Sequence, residues 1–303
     1  MAMPLTRQYP DTAPRWAESL PAMTEEQFLC WVRLLEQRTG MLLPRERRSF
    51  LVTSLILRMR QLGFESFEAY YEFVTCGLAG NVEWTALVDR LTVHETRFFR
   101  DPRAIRLLAD HLIPELCQRD DRNGPLNIWS VGCSTGEEPY TLAMVADRVL
   151  AASFPGVRFG VTATDISLHS LATARIAVYP HRRCRDIPGE YASRYCEPLD
   201  GKRFRIIPAL RRRVCCAQLN VLDVDDLPGR RMDLIYCQNL LIYFDRARRK
   251  SIVDSLVRHL RPGGVLILGA GEILRWTNPE MRRLENADDV LVFRREDQGA
   301  CVS

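Results

Sequence analysis

The sequence predicts an α/β fold preceded by a small all-helical domain and interrupted by a short antiparallel insert. Three observations support this prediction. Apolar residues recur at helical spacing from residue 23 to about residue 93. From Pro125 onward, strand-like and helical stretches alternate, which is typical of a mostly parallel sheet covered by helices. An Asp-Gly pair at 200–201 separates two short strand-like runs and indicates a hairpin.

The all-helical domain is predicted from its start and stop signals. Thr24 and Gln27 have the spacing of a capping box, and Gly40 is a natural end for the first helix. A second helix should begin near Pro44, which suits a first-turn position, and end at Gly63. The segments "SFEAYYEFVTCG" and "NVEWTALVDRL" predict two more short helices. We therefore expect a helical domain at 23–93, after a Pro-rich and polar mobile tail at 1–22.

The α/β domain is predicted at 94–303. Its strands are "LNIWSVGC", "VRFGVTATDI", "RMDLIYCQNLLIYF" and "GGVLILGAG", and its helices lie at 137–152, 167–177 and 245–260. The run "VCCAQLNV" follows the insert, and "DDVLVFRR" predicts a last strand, antiparallel at the sheet edge. The insert, a small antiparallel flap, should span about 194–209.

Composition excludes several classes of protein. No apolar run approaches the ~18 residues of a membrane span, so we expect no membrane insertion. The net charge of +4 is too small to demand a nucleic-acid partner. None of the ten cysteines forms C-x-x-C and no His pair has ligand spacing, which argues against a metal site. Scattered cysteines without an export signal predict reduced thiols and a cytoplasmic protein.

The loop "GCSTGEE" indicates the kind of cofactor. Gly132 and Gly136 follow the first strand, where ligands of open α/β sheets bind. Glu137 and Glu138 then occupy the first helical turn, where they would repel a diphosphate and attract a cation. Asp165, ending the second strand, is placed to accept hydrogen bonds from a ribose. These features favour S-adenosylmethionine over NAD, although either glutamate could simply cap the helix.

Five motifs then occur in the order found in one family. "LTVHETRFFRDP", "VGCSTGEEPYTLAM", "ATDIS", "CQNLLIYFD" and "LRPGG" resemble those of the chemotaxis receptor methyltransferases, the CheR family, over about residues 23 to 295. The resemblance implies a Rossmann-like methyltransferase domain with an inserted β-subdomain. It also implies methylation of receptor glutamates by S-adenosyl-L-methionine, with S-adenosyl-L-homocysteine as product, for sensory adaptation.

The resemblance also implies roles for residues of those motifs. Arg100 and Tyr243 are the implied catalytic residues, expected to aim the acceptor carboxylate. With Gly132 of the loop, the expected cofactor-binding residues are His94, Thr96, Arg100, Glu137, Asp165, Asn220, Val221, Gln238 and Asn239. The alternative interpretations are that Arg100, before Asp-Pro, is a surface residue and that Tyr243 packs at the rim of the site.

Two residues depart from the family pattern. His94 stands where the family usually has Asn, and Gln238 stands where it usually has Arg. Because of these two departures, a second hypothesis remains open. In it, the chain is a regulatory protein that binds the cofactor with little or no turnover. The departures also leave open a variant that serves a type IV pilus chemosensory system.

The implied partner is the cytoplasmic signalling domain of a chemoreceptor. A receptor C-terminal tether peptide could also bind the inserted β-subdomain, where Arg203 and Arg205 alternate with apolar residues. Solvated packing of a small sheet explains that pattern equally well. The N-P-P-Y motif of amino-methylating nucleic-acid enzymes is absent where Asn239 is followed by Leu240. Charge runs are usually solvated faces, so we expect no nucleic-acid partner.

Overall fold

A computed structural model describes residues 22–119, 124–227, 232–285 and 290–296. The chain divides into two compact units, Met1–Leu91 and Thr92–Ser303. Of the predicted mobile tail at 1–22, only Ala22 falls within the described residues.

The first unit contains the four predicted helices. Thr24 and Gln27 form the predicted capping box, because each side chain bonds the backbone N–H of the other residue. Its core includes a buried carboxylate, Glu83, which accepts hydrogen bonds from Tyr70 Oη (2.5 Å) and Arg58 Nε (2.8 Å). A short 3-10 turn follows Pro44, so the second helix begins later than predicted. The helices are α1 (Glu25–Thr39), α2 (Arg48–Leu62), α3 (Phe67–Thr75) and α4 (Gly77–Leu91).

The second unit contains the α/β domain. Its helices are α5 (Pro102–Leu107), α6 (Ile113–Gln118), α7 (Glu137–Ser153), α8 (Leu168–Ile176), α9 (Gly189–Tyr195), α10 (Pro208–Arg211) and α11 (Arg246–Arg258). Its strands are β1 (Leu126–Val131), β2 (Phe159–Asp165), β3 (Val178–Pro180), β4 (Cys196–Asp200), β5 (Arg203–Ile206), β6 (Val214–Gln218), β7 (Met232–Cys237), β8 (Leu260–Leu268), β9 (Met281–Arg283) and β10 (Leu291–Arg295).

The main sheet confirms the predicted α/β class. Its strand order is β6-β2-β1-β7-β8-β10-β9, and the first five strands in that order run parallel. β1 and β7 are buried along almost their whole length, as expected for strands with helices on both faces. The strand order reverses at β1, which pairs with β2 on one side and β7 on the other.

The last strand is antiparallel, as predicted, but its predicted place at the sheet edge is wrong. β10 pairs with β8 on one side and with β9 on the other, so β9 is the edge strand. β9 has only three residues, "MRR", and no alternation of apolar and polar positions from which a strand could be predicted.

The antiparallel insert is larger than the predicted span of about 194–209. It forms a three-stranded sheet in the order β3-β5-β4, with the hairpin turn at Asp200-Gly201. β3 joins the sheet from residues 178–180, ahead of the predicted span. Phe204 and Ile206 of the central strand β5 are buried in the core of the unit.

The helical segment at 102–118 is not among the predicted helices. The Asp101 side chain caps the N-terminus of α5. The segment then continues through a π-helical turn at 108–112 into α6. Its buried side chains join the core of the α/β unit. Across the described ranges, no helix has both the length and the apolar character needed to cross a membrane.

Candidate functional site

Where strand order reverses, an open α/β sheet forms a crevice outside the carboxyl ends of its strands, and in this chain that place lies at β1 and β7. Open α/β sheets bind their ligands at such a point, because the loops that follow the two strands turn to opposite faces. The loop after β1, the loop after β7 and the segment that precedes α5 supply most of the predicted site residues.

The glycines of the 132–136 loop adopt conformations that favour glycine. Gly132 has φ +75° and Gly136 has φ +100°. A Cβ at Gly132 would lie 3.1 Å from the Leu240 side chain, and a Cβ at Gly136 would lie 2.8 Å from that of Ala174. Both glycines therefore allow the loop to pack closely on the protein, in addition to any approach to a ligand that the sequence predicts.

Asp165, at the end of β2, holds this loop. Its Oδ2 accepts a hydrogen bond from the Ser134 backbone N–H (2.8 Å), and its Oδ1 accepts one from the Ser167 N–H (2.9 Å). Ser134 itself has φ +48°, which a residue with a side chain rarely adopts. Its Oγ is buried and has no hydrogen-bond partner among the described residues, so a polar group in the crevice could satisfy it.

Glu137 is the more buried of the two acids at the start of α7. It is 2% exposed, and its carboxylate accepts a hydrogen bond from Thr135 Oγ1 at 2.6 Å. Arg183, from the insert, lies 3.9 Å away (Nε to Oε1) and also donates to the backbone carbonyl of Thr96. Burial raises the pKa of Glu137 despite these partners.

Glu138, beside it, is half-buried. Its carboxyl contacts Ser130 Oγ of β1 at 2.6 Å. Burial raises the pKa of Glu138 to about 8, although Ser130 and the positive charge of Arg100 favour the ionised form. A cation in the crevice would further favour ionisation, so this carboxyl can change its charge when a positively charged ligand binds.

Both ring nitrogens of His94 are bonded to the protein. Thr92 Oγ1 lies 3.1 Å from Nε2, and Ser170 Oγ of α8 lies 2.8 Å from Nδ1. These contacts fix the ring and tie the start of the second unit to the helix after β2. Thr96, two residues on, is buried.

Gln238, directly after β7, also bonds to protein groups. Its Oε1 accepts a hydrogen bond from Tyr236 Oη (2.9 Å), and its Nε2 donates to Asp101 Oδ2 (3.0 Å). Asp101 follows Arg100, so Gln238 links the end of β7 to the segment that carries this arginine. Arg100 is exposed, and its guanidinium donates to the Glu95 carbonyl at 2.9 Å.

The remaining predicted residues lie on the loops after β7 and β6. Asn239 has φ +60°, and Tyr243 is half-buried in a 3-10 turn. Asn220 Oδ1 accepts a hydrogen bond from the Leu222 N–H at 3.2 Å, which shapes the turn after β6, and Val221 is buried there.

Several neighbouring residues were missed from the sequence. Ser134 lies in the loop motif itself, and Asp101 carries the helix-start signal Asp-Pro. Arg183 comes from the insert and Glu272 from the segment after β8, outside every motif. Only the tertiary structure brings these two into the site.

Within the part of the chain that the structure describes, no group of three or more His, Cys, Asp or Glu side chains could hold a metal ion.

Comparisons with known proteins match two family models. Residues 26–92 match "CheR methyltransferase, all-alpha domain", and residues 94–290 match "CheR methyltransferase, SAM binding domain".

Characterised relatives match most of the chain. A chemotaxis protein methyltransferase from Escherichia coli K12 is 33% identical, over 83% of this chain and 85% of that protein. One from Borreliella burgdorferi is 28% identical, over 84% and 90%. Chemotaxis protein methyltransferase 2 from Vibrio cholerae is 30% identical, over 90% and 92%.

Proposed function

The chain belongs to the CheR methyltransferase family, and we propose that it transfers a methyl group from S-adenosylmethionine to glutamate side chains of bacterial chemoreceptors. Methyl transfer from S-adenosylmethionine follows from family membership. The receptor, the acceptor glutamates and the residue roles are proposed. The observation that carries the proposal is the pair of acids, Glu137 and Glu138, at the start of α7, beside the reversal of strand order at β1.

The residues of the crevice fit S-adenosylmethionine. Glu137 and Glu138 occupy the helix N-terminus where a phosphate would otherwise bind, and they suit a ligand that carries positive charge and no phosphate. The Ser134 hydroxyl offers an unsatisfied polar atom. Each oxygen of Asp165 accepts a backbone hydrogen bond, and a carboxylate oxygen can accept from more than one donor, which suits contact with a ribose hydroxyl.

We assign the acceptor side to Arg100 and Tyr243. When bound, S-adenosylmethionine supplies an electrophilic methyl group on a sulfonium. The acceptor glutamate has an ordinary pKa of about 4.3, so it is already an anion at neutral pH and needs no general base. The chain's task is to hold the carboxylate close and in line, which can lower the barrier by up to ~7–11 kcal/mol.

The exposure of Arg100 suits contact with a macromolecular acceptor. We give its guanidinium a positioning role, because a strong ion pair would stabilise the ground state more than the transition state. The departures at His94 and Gln238 are compatible with turnover, since the polar groups of both side chains bond to protein partners.

The proposed partner is the cytoplasmic signalling domain of a receptor. A C-terminal receptor peptide could add to the exposed edge strand β4 of the insert, while β5 is the central strand. The charges of β5 are already paired, because Arg203 bonds Asp200 and Arg205 bonds Glu197, each at 2.8 Å. The peptide would therefore be recognised by strand pairing more than by charge.

The test is transfer of label from methyl-tritiated S-adenosylmethionine to an isolated receptor signalling domain. We expect label that base releases as methanol, the signature of a glutamate methyl ester. A receptor domain whose methylated glutamates are replaced by Ala should accept none. Tight binding of S-adenosylhomocysteine without any transfer would instead support the regulatory alternative. Receptors of flagellar and type IV pilus systems, assayed in parallel, would identify the pathway.

A further inference from the structure

The first strand of the insert contacts the 132–136 loop directly. Tyr179 of β3 is 2% exposed, and its Oη donates a hydrogen bond to the Thr135 backbone carbonyl at 2.9 Å. A Cβ at Gly136 would lie 2.8 Å from the same Oη, so this close approach requires glycine there. The start of the insert is therefore fixed against the loop that precedes α7.

Arg183 follows β3 in a 3-10 turn, His181–Asp186, and lies beside this loop. Its guanidinium donates to the backbone carbonyl of Thr96, and its Nε lies 3.9 Å from Glu137 Oε1. The Arg183 side chain is 32% exposed, whereas that of Glu137 is 2% exposed. Arg183 thus lies between two segments that carry predicted cofactor residues, and its charge adjoins a buried carboxylate.

The separation of these two charges is longer than a hydrogen bond. An N–H···O hydrogen bond spans about 2.7–3.2 Å. At 3.9 Å, Nε and Oε1 attract each other without forming one. The other oxygen of Glu137 accepts a hydrogen bond from Thr135 Oγ1 at 2.6 Å. A guanidinium and a carboxylate held side by side in this way match a ligand group that carries both an anion and a cation.

The amino-acid end of S-adenosylmethionine is such a group. It carries a carboxylate and an ammonium on one carbon atom, and these charges are opposite to those of Arg183 and Glu137. A planar guanidinium can bind a carboxylate through two parallel N–H···O bonds, and a carboxylate forms short, strong hydrogen bonds with an ammonium. The pair can therefore distinguish a nucleoside that carries an amino-acid group from one that does not.

We propose that Arg183 binds the carboxylate of the cofactor's amino-acid end while Glu137 binds its ammonium group. The inference rests on the proposed function for the place of Glu137 in the cofactor site. It gives the insert a second role, because Arg183 selects the cofactor while the edge strand β4 is proposed to bind a receptor peptide.

Calorimetry with S-adenosylmethionine and with decarboxylated S-adenosylmethionine, in the absence of receptor, tests this role. The second ligand lacks the carboxylate and keeps the amine and the sulfonium. We expect wild type to bind S-adenosylmethionine roughly tenfold more tightly or better, since only this ligand has a charge-assisted partner for Arg183. In Arg183→Gln the preference should fall to within about threefold.

Two further variants separate the charge of Arg183 from its shape and from its surroundings. Arg183→Lys keeps a positive charge without the planar fork, so it should retain part of the preference. The matched control is Arg182→Gln, which removes the same charge from the neighbouring, exposed position of the same turn. It should prefer S-adenosylmethionine as strongly as wild type does.

A wild type that binds the two ligands equally would overturn the proposal. An Arg183→Gln variant that loses affinity for both ligands in the same ratio would show that Arg183 only supports the site through its bond to Thr96. Should Arg183→Gln fail to fold, the reduced preference expected of Arg183→Lys decides the question. Because no receptor takes part, a wild type that binds S-adenosylmethionine but methylates no receptor would refute the proposed function and leave this test intact.

Discussion

The Asp165 carboxylate bonds two backbone N–H groups, so its removal should loosen the loop as well as remove a ribose acceptor. Each unsatisfied group costs about 1–3 kcal/mol, and we expect Asp165→Ala to weaken S-adenosylhomocysteine binding by roughly 10- to 100-fold. Asp165→Asn keeps one acceptor oxygen, so its affinity for S-adenosylhomocysteine should lie between those of wild type and Asp165→Ala. Isothermal calorimetry measures both. Asp200→Ala, which loses a similar bond to the Lys202 N–H on the exposed hairpin, should bind normally.

Arg100 and Tyr243 are expected to separate catalysis from cofactor binding. Both are proposed to contact the acceptor carboxylate, so Arg100→Ala and Tyr243→Phe should lower the single-turnover rate by roughly tenfold or more. S-adenosylhomocysteine affinity should remain nearly intact, most clearly for Tyr243→Phe. A variant with the wild-type single-turnover rate would remove that residue from the acceptor side.

Glu138 should make stability depend on pH in a predictable direction. Its folded-state pKa of about 8 lies above the ordinary value of 4.5, so the folded chain holds a proton that the unfolded chain releases. Its contribution to the free energy of unfolding is therefore present below about pH 4.5 and is lost as pH rises through about 8.

Glu138→Gln cannot ionise, so its stability relative to wild type should rise between pH 5 and pH 8. Urea unfolding at several pH values, without cofactor, measures this difference and cancels the groups that both proteins share. A relative stability that is flat across this window would mean that Glu138 ionises normally in the folded protein.

Within the insert, β3 and β4 are the two edge strands, and β4 is the one to which we propose that a receptor peptide adds. Strand β5 lies in the centre with its apolar face in the core, so its alternating pattern reflects packing. The exposed edge is β4, whose last three residues are exposed. Sheet edges accept an added strand because their backbone groups are unpaired.

Replacing Pro198–Lys202 at the hairpin with a Gly-Ser turn should therefore lower methylation of full-length receptor more than methylation of an isolated receptor helix. A tether raises effective concentration without altering the chemistry, so the loss should appear in the KM for the full-length substrate. Transfer assays on both substrates measure the ratio. Equal losses would show that the insert only supports the fold.

At the scale of the whole molecule, each of the two units has a core of its own. The helical unit has a cluster of buried apolar residues, and the α/β unit has separate clusters of its own. Every proposed cofactor residue lies in the unit that begins at Thr92. We therefore expect a fragment of residues 92–303 to fold and to bind S-adenosylhomocysteine within about threefold of the full chain. Calorimetry on the fragment tests this, and a loss of binding would show that the helical unit contributes to the pocket.

Sequence patterns were sufficient to predict the fold class, the family and methyl transfer from S-adenosylmethionine. Capping signals, alternating strands and helices, and the order of five motifs are local or nearly local properties, and they are confirmed by the sheet topology and the family matches. The hairpin turn at Asp200-Gly201 and the loop glycines follow as well, because turn chemistry depends on a few adjacent residues.

Only the tertiary structure shows which polar side chains of the site already form hydrogen bonds with other protein groups. Gln238 and His94 stand in binding motifs, yet their side chains bond to Asp101 and Ser170, which are distant in sequence. The burial that raises the pKa of Glu138 depends on segments that meet only when the sheet is assembled. Desolvation and long-range hydrogen bonds are properties of the folded chain, so no pattern in the sequence could have revealed them.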